Sequence, residues 1–275
     1  MYFGGILSEY EELPLNRDME RRRDYWEVAK GLQATDGLST TEYLDGVIHD
    51  TLVGRYDTAE AVRRVGKHYE SAPQDSLEKE ADLSAAKITH ILERGGFTFS
   101  PVTLQTIHRE LFTGVFDPSW VGAWRTTNLK KAEDVLNGRS VQYADYSVIA
   151  DTLAYDFSEQ KKKRYALPFD QEQVSSLASF TSNIWQVHPF REGSTRTIAT
   201  FMILYLQNLG IDLDNEPFQK HAQYFRDALV RSNYASVRDG IAPDESFLMM
   251  FFENVLLGKQ HDLAAQNLRC NELFD

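Results

Sequence analysis

Residues 188–196 read His-Pro-Phe-Arg-Glu-Gly-Ser-Thr-Arg, and the stretches on either side of them read as helices. Before the run, DQEQVSSLASFTSNIWQV at 170–187 spaces Val174, Leu177, Ile184 and Val187 as one helical face. Pro189 cannot continue that helix and disfavours a helical conformation at His188, so His188 is expected at the helix's C-terminal exit. Gly193 permits the turn that follows. A second helix is expected to start at Ser194 or Thr195, to turn Ile198, Phe201, Met202 and Tyr205 to one face, and to end near Gly210. The loop between the helices gathers an imidazole, a carboxylate and a guanidinium around a glycine, a set suited to phosphate-ester chemistry. The imidazole can take a proton and the carboxylate can hold a divalent metal. The N–H groups that open the second helix can cradle phosphate oxygens, with an arginine forked onto them. Taken alone, the same residues also fit a capped helical hairpin with a surface histidine and a solvated Arg–Glu pair.

HPFREGSTR resembles the signature of Fic domains, HxFx(D/E)GN(G/K)RxxR. The likeness extends outward. GAWRTTNLKKAEDVLNGRSVQYADY at 122–146 resembles the Fic flap, and YFRDALVRSNY and FFENVLLG are similar to the C-terminal helices of one bacterial Fic subfamily. Matching segments run from about residue 76 to about residue 260. The resemblance implies a mainly α fold, a helical bundle with a β-hairpin flap over the active-site loop. It also implies a reaction, the transfer of AMP from ATP to a hydroxyl of a target protein with release of pyrophosphate. On that reading His188 is the general base and Glu192 binds Mg2+. Arg191, Glu192, Gly193, Ser194, Thr195 and Arg196 bind the nucleotide, with Arg196 on the phosphates. Phe190 anchors the loop in the core. Two positions depart from the signature. Ser194 stands where the family has asparagine, a shorter group with one donor, and Ala199 stands where it has a second arginine. These departures keep a second function in play, a catalytically degenerate Fic fold that binds nucleotide or a partner protein without turnover.

Within the flap, Asn137-Gly138 lies between Val135-Leu136 and Val141-Gln142-Tyr143, a hairpin signal in its own right. The resemblance implies that a target protein docks along this hairpin, about residues 125–144, through main-chain pairing.

Residues 21–65 carry a second resemblance, to the small three-helix antitoxin that partners class I Fic toxins. Its inhibitory motif, (S/T)xxxE(G/N), aligns with Leu32 to Gly37 and puts Asp36 at the inhibitory glutamate. Ser76-x-x-x-Glu80 is a rival match, but Ala81 follows where glycine or asparagine is expected. The chain thus divides into an antitoxin-like helical segment at 1–70, a linker at 71–76, and a Fic domain with C-terminal helices at 77–275. In the family the inhibitory acid pairs with the second signature arginine. Here an Asp36–Arg196 contact is the substitute, and a single partly exposed pair of this kind is worth roughly 0–1 kcal/mol.

Composition bounds the rest. The 275 residues are 42% hydrophobic, enough for one sizeable core with a smaller appendage. A formal charge of −12 argues against direct nucleic-acid binding. Lys161 to Arg164 is a local basic run and reads as a solvated loop. The single cysteine, Cys270, suits a reducing cytoplasm. No apolar stretch approaches a membrane span, and MYFGGILSEYEELP lacks the basic start and cleavage site of a leader. Ser39-x-x-Glu42 and Asp57-x-x-Glu60 read as helix starts, as does Ser100-Pro101. His49, His68, His90, His108, His221 and His261 show no metal-ligand spacing and read as structural or exposed. The oligomeric state is left open by the sequence.

Overall fold

Helix α8 (Ser194–Asn208) is the axis around which the other helices pack, and every residue from Ser194 to Leu206 is buried. The sequence predicts one apolar face for this helix. The structure covers all of its faces, and several of its polar residues turn onto neighbours or onto the helix itself. Thr200, for example, returns its hydroxyl to the Arg196 carbonyl at 2.8 Å. A helix enclosed on all sides belongs at the centre of a bundle. The computed structural model describes residues 17–211 and 213–274. The segment MYFGGILSEYEELP, read above for a leader, lies outside the described residues.

Around α8 stand α4 (Leu77–Arg94), α5 (Pro101–Phe112) and α7 (Gln171–Val187). Each begins at a side-chain cap. Ser76 accepts from Lys79 N–H, Ser100 accepts from Val102 N–H, and Asp170 forms a reciprocal capping box with Gln173. Helix α6 (Ile149–Lys161) packs on α7 and α5. Between these helices Phe99, Phe157, Phe180, Phe201 and Tyr205 form one aromatic cluster, with ring centroids 4.5–6.3 Å apart. The C-terminal part adds α9 (Glu216–Lys220), α10 (Ala222–Asn233) and α11 (Ser246–Leu257), joined through Phe218, Phe225, Phe251 and Phe252.

The N-terminal helices are α1 (Arg17–Gln33), α2 (Glu42–Leu52) and α3 (Thr58–His68). Tyr25, Trp26, Val28 and Leu32 of α1 belong to the same hydrophobic core as α8. A 3-10 turn, Ala34–Asp36, follows α1 and ends at Gly37 with φ +70°. Helix α2 departs from its expected start. Its N-cap is Thr41, whose N–H and hydroxyl both donate to the buried Asp82 at 2.9 and 2.6 Å, so Ser39 is not the cap. A long-range acceptor has overridden a local pattern. Asp57 does cap α3, accepting from Glu60 N–H at 2.8 Å.

The flap differs from a regular hairpin. Among the described residues its two arms share a single antiparallel bridge, Glu133 to Arg139. The 3-10 turn Asp134–Leu136, then Asn137 at φ 52° and Gly138 at φ +78°, closes the loop. The Asn-Gly pair thus makes the turn, and the strands beside it are replaced by side-chain ties to the helices. No described helix is long and apolar enough to cross a membrane.

Gly31 shows how closely α1 is seated. A Cβ there would lie 2.2 Å from the Gln219 carbonyl oxygen of α9. Backbone cannot swing aside as a side chain can, so Gly31→Ala should lever α1 away from α9. We expect a loss of about 1–3 kcal/mol in urea unfolding, the usual cost of overpacking. Wild-type stability would show that α1 does not rest on α9 at this distance.

Candidate active site

His188 is the C-cap of α7 at φ 46°, and its N–H donates to the Trp185 carbonyl at 2.9 Å. This left-handed conformation is uncommon away from glycine and is held from outside by Arg125. The Arg125 Nε donates to the His188 carbonyl at 2.8 Å. Its Nη2 reaches the carbonyls of Ala144 and Val187 at 2.5 and 3.2 Å, and its Nη1 reaches that of Thr127 at 2.7 Å. Its own N–H donates to Pro189 O at 2.9 Å. One guanidinium therefore ties both ends of the flap to the loop. The His188 ring stacks on Tyr143 at 4.1 Å and meets Trp185 edge-on at 5.8 Å. Its Nδ1 is buried without a hydrogen-bond partner. Burial, then the cations Lys131, Arg125 and Arg226, push the imidazole down to about 3, with Asp36 opposing. The ring is neutral at pH 7 and can accept a proton, but it is a weak base in this arrangement.

The loop after it is set by His108 of α5. Gly122 N–H donates to its Nδ1 at 2.8 Å, which leaves Nε2–H to donate to the Glu192 carbonyl at 3.0 Å. The ring stacks on the fully buried Phe190 at 3.9 Å. Burial pushes His108 down to about 4, so it too is neutral at pH 7. Gly193 is required twice over, because it sits at φ +75° and an added Cβ would meet the Phe112 ring at 2.4 Å. Ser194 and Thr195 turn their hydroxyls inward. Ser194 Oγ lies 3.4 Å from both the N and O of Phe190, and Thr195 Oγ1 accepts from Trp185 Nε1 at 3.0 Å. Toward the loop these two residues offer backbone, and no side chain caps the start of α8. An uncapped helix start is a ready anion site. Ala199 is fully buried within α8. Arg191 is exposed beside Trp120, 5.8 Å from its ring, and Glu192 is half-exposed.

Arg196 is placed otherwise than the sequence predicts. Its exposure is 0%, and acidic groups from two other helical regions enclose it. Asp36 Oδ2 lies 2.8 Å from Nε, an ionic contact since that N–H makes no aligned hydrogen bond. Glu80 Oε1 lies 2.5 Å from Nη2. Gln33 Oε1 and Ser84 Oγ lie 3.1 and 3.3 Å from Nη1, and the Phe112 ring lies 4.9 Å below the guanidinium. Both rival acids of the sequence reading thus converge on one arginine. The Asp36–Arg196 pair expected to be partly exposed is buried, and removing one partner of a buried pair typically costs about 3–5 kcal/mol. Lys131 of the flap completes the arrangement, with Nζ 3.3 Å from Asp36 Oδ1 and 3.7 Å from Glu192 Oε1. Burial alone would raise the Asp36 carboxyl. Arg196, Lys131 and Arg226 outweigh it and hold the group below the ordinary carboxylate range.

Sequence reasoning missed several supports. Glu133 of the flap and Arg226 of α10 form a buried bidentate pair at 2.5 and 3.0 Å, and Tyr143 donates to the same carboxylate at 3.3 Å. Lys131 and Arg125 were likewise unmarked, and His108, read as structural or exposed, is structural and buried. A cleft of about 740 Å³ opens between the flap arms, with Lys131 and Tyr143 in its wall. Among the described residues no three acidic, histidine or cysteine groups cluster to hold a metal. A lone carboxylate such as Glu192 nevertheless suits Mg2+ when substrate phosphates supply further oxygens.

Two buried neutral histidines make an acid-sensitivity prediction. Both folded-state values, about 4 and about 3, lie below the ordinary 6.5. The unfolded chain therefore takes up protons first, so the stability they contribute is present above pH 6.5 and lost as pH falls through those values. Asp156 and Asp227, raised by burial to about 6 and about 7, act in the opposite sense. Comparing wild type with His108→Gln by urea unfolding isolates one histidine. The stability gap should narrow between pH 6.5 and pH 4, by at most about 1.4 kcal/mol per unit. A gap independent of pH would contradict the neutral, buried assignment.

Comparisons with known proteins find similar sequences and a similar fold. Residues 98–206 match the model of the Fic/DOC family. A probable protein adenylyltransferase, y4lH of Sinorhizobium fredii (strain NBRC 101917 / NGR234), is 25% identical over 129 residues, 46% of this chain. The match spans 62% of that relative's length. The crystal structure of BepC, a VirB-translocated effector of Bartonella tribocorum with bound AMPPNP, superposes with a TM-score of 0.50 at 18% identity. It covers 66% of this chain and 87% of BepC, a likeness of fold. The segment that matches the Fic/DOC family model, residues 98–206, holds His108, the flap, His188, Glu192 and Arg196.

Proposed function

We propose that this protein is an adenylyltransferase that moves AMP from ATP to a hydroxyl of a target protein, and that its N-terminal helices restrain it. The observation that carries the reading is the meeting, at one loop, of an unpartnered His188 imidazole, the Glu192 carboxylate and the uncapped start of α8. Those are a base, a metal ligand and an anion cradle within one nine-residue turn. The name of the Sinorhizobium relative and the AMPPNP bound to BepC point the same way.

In this reading the backbone N–H groups at Gly193 to Arg196 hold the phosphates. Arg191 and Arg196 add charge at the rim and root of the cradle. Glu192 would hold Mg2+, which would neutralise charge on the phosphate oxygens. The target's hydroxyl oxygen attacks the α-phosphorus, its proton passes to His188, and the bond to the leaving pyrophosphate breaks. Arg125 and His108 position the loop through the His188 and Glu192 carbonyls. The flap, about residues 125–144, would dock an extended segment of the target, using the main-chain groups its arms leave unpaired with each other.

The restraint is the Arg196 cage. We take residues 1–70 as the antitoxin-like regulatory segment and 77–275 as the catalytic part, with the turn at 71–76 between them. Asp36 comes from the first and Glu80 from the second, so two acids compete with phosphate for one guanidinium. One observation favours the binding-module alternative. With Arg196 enclosed and His188 held at about 3, this arrangement is poor for turnover.

ATP labelled at the α-phosphate, with magnesium and a cell lysate, tests these readings together. Asp36→Ala combined with Glu80→Gln should raise protein labelling at least about tenfold, the equivalent of 1.4 kcal/mol. His188→Ala in that background should abolish it. Labelling that survives His188→Ala would remove the base assignment. ATP binding without labelling in the released variant would establish the binding module instead.

A further inference from the structure

Lys131 is anchored by its backbone, and its side chain is partly exposed. Its N–H donates to Ser140 Oγ on the opposite arm of the flap at 3.1 Å, while its side chain is 37% exposed. The ammonium can therefore turn without the flap moving. It now lies 3.3 Å from Asp36 Oδ1, while Asp36 Oδ2 lies 2.8 Å from Arg196 Nε. One carboxylate thus bridges two cations, one oxygen on each. That is the arrangement a phosphate group adopts between two basic side chains. Without the Asp36 carboxylate, Lys131 Nζ and Arg196 Nε would face a vacated anion position, while Glu80 would stay on Arg196 Nη2.

We propose that Lys131 is a phosphate-binding residue of this site, its ammonium passing from Asp36 to a phosphate oxygen of a bound nucleoside triphosphate. The proposal rests on the nucleotide reading above and assigns to it a residue outside the nine-residue loop. Glu192 supports it. Lys131 lies 3.7 Å from Glu192 Oε1, and a divalent cation taken by that carboxylate would repel the ammonium toward phosphate. Lys131 also leads the cations that depress His188. Neutralising it with phosphate would relieve the imidazole of that charge in the loaded state.

The test is calorimetric titration of ATP, with and without magnesium, into the full chain. Asp36→Ala frees Lys131. Adding Lys131→Gln to that variant should weaken ATP binding on the order of tenfold, the scale of a charge-assisted hydrogen bond. Adding Lys131→Arg instead should restore it, with melting temperatures reporting that all three variants are folded. If Lys131→Gln leaves the affinity of the Asp36→Ala protein unchanged, or tightens it, Lys131 only latches Asp36 and the proposal is overturned. If the Asp36→Ala protein binds no ATP at all, the nucleotide reading falls and this proposal falls with it.

Discussion

A fully enclosed guanidinium must have its charge matched, and the arrangement around Arg196 follows from that requirement. Burying an unpaired cation would be prohibitive. Asp36, Glu80, Gln33, Ser84 and the face of Phe112 meet the need from three directions. The match joins the 3-10 turn after α1, the first turns of α4, and the start of α8. It explains why the N-terminal helices share the core around α8 instead of hanging beside it. It also means that the guanidinium in the first turn of α8 is already occupied by carboxylates.

A second charged network holds the flap without a sheet. Arg125 reaches four carbonyls or loop groups across the flap's ends and the His188 turn. The buried Glu133–Arg226 pair fastens the flap's middle to α10. A two-residue-wide ladder would have been marginal in isolation. Side-chain ties to rigid helices replace it. Electrostatics in the site are therefore cooperative. Cations that hold the flap and the 3-10 turn after α1 also suppress the basicity of His188, so one arrangement lowers the imidazole pKa and encloses the arginine.

Much of this was legible in local sequence. Pro189 and Gly193 dictate where α7 ends and α8 begins, since a missing N–H and a positive φ allow few alternatives. Asp57 and Ser100 are short-range caps and sit where such residues should. The convergence on Arg196 was not legible. Asp36 and Glu80 are each over a hundred residues distant in sequence, and a long-range ion pair leaves no periodicity. Glu80 was discounted because Ala81 broke a motif, yet the carboxylate needs only its place on α4 to reach the guanidinium. Lys131, Glu133 and His108 look like ordinary polar residues until the fold brings their partners. Thr41 was missed for the same reason, its cap being the distant Asp82.

The central claim is that Asp36 and Arg196 are coupled through a buried contact. A double-mutant cycle with Asp36→Asn and Arg196→Met, followed by urea unfolding, measures that coupling directly. Contacting buried partners should deviate from additivity by about 1 kcal/mol or more. Effects that add to within about 0.3 kcal/mol would mean that the two residues do not share a site and that the N-terminal helices do not hold this arginine.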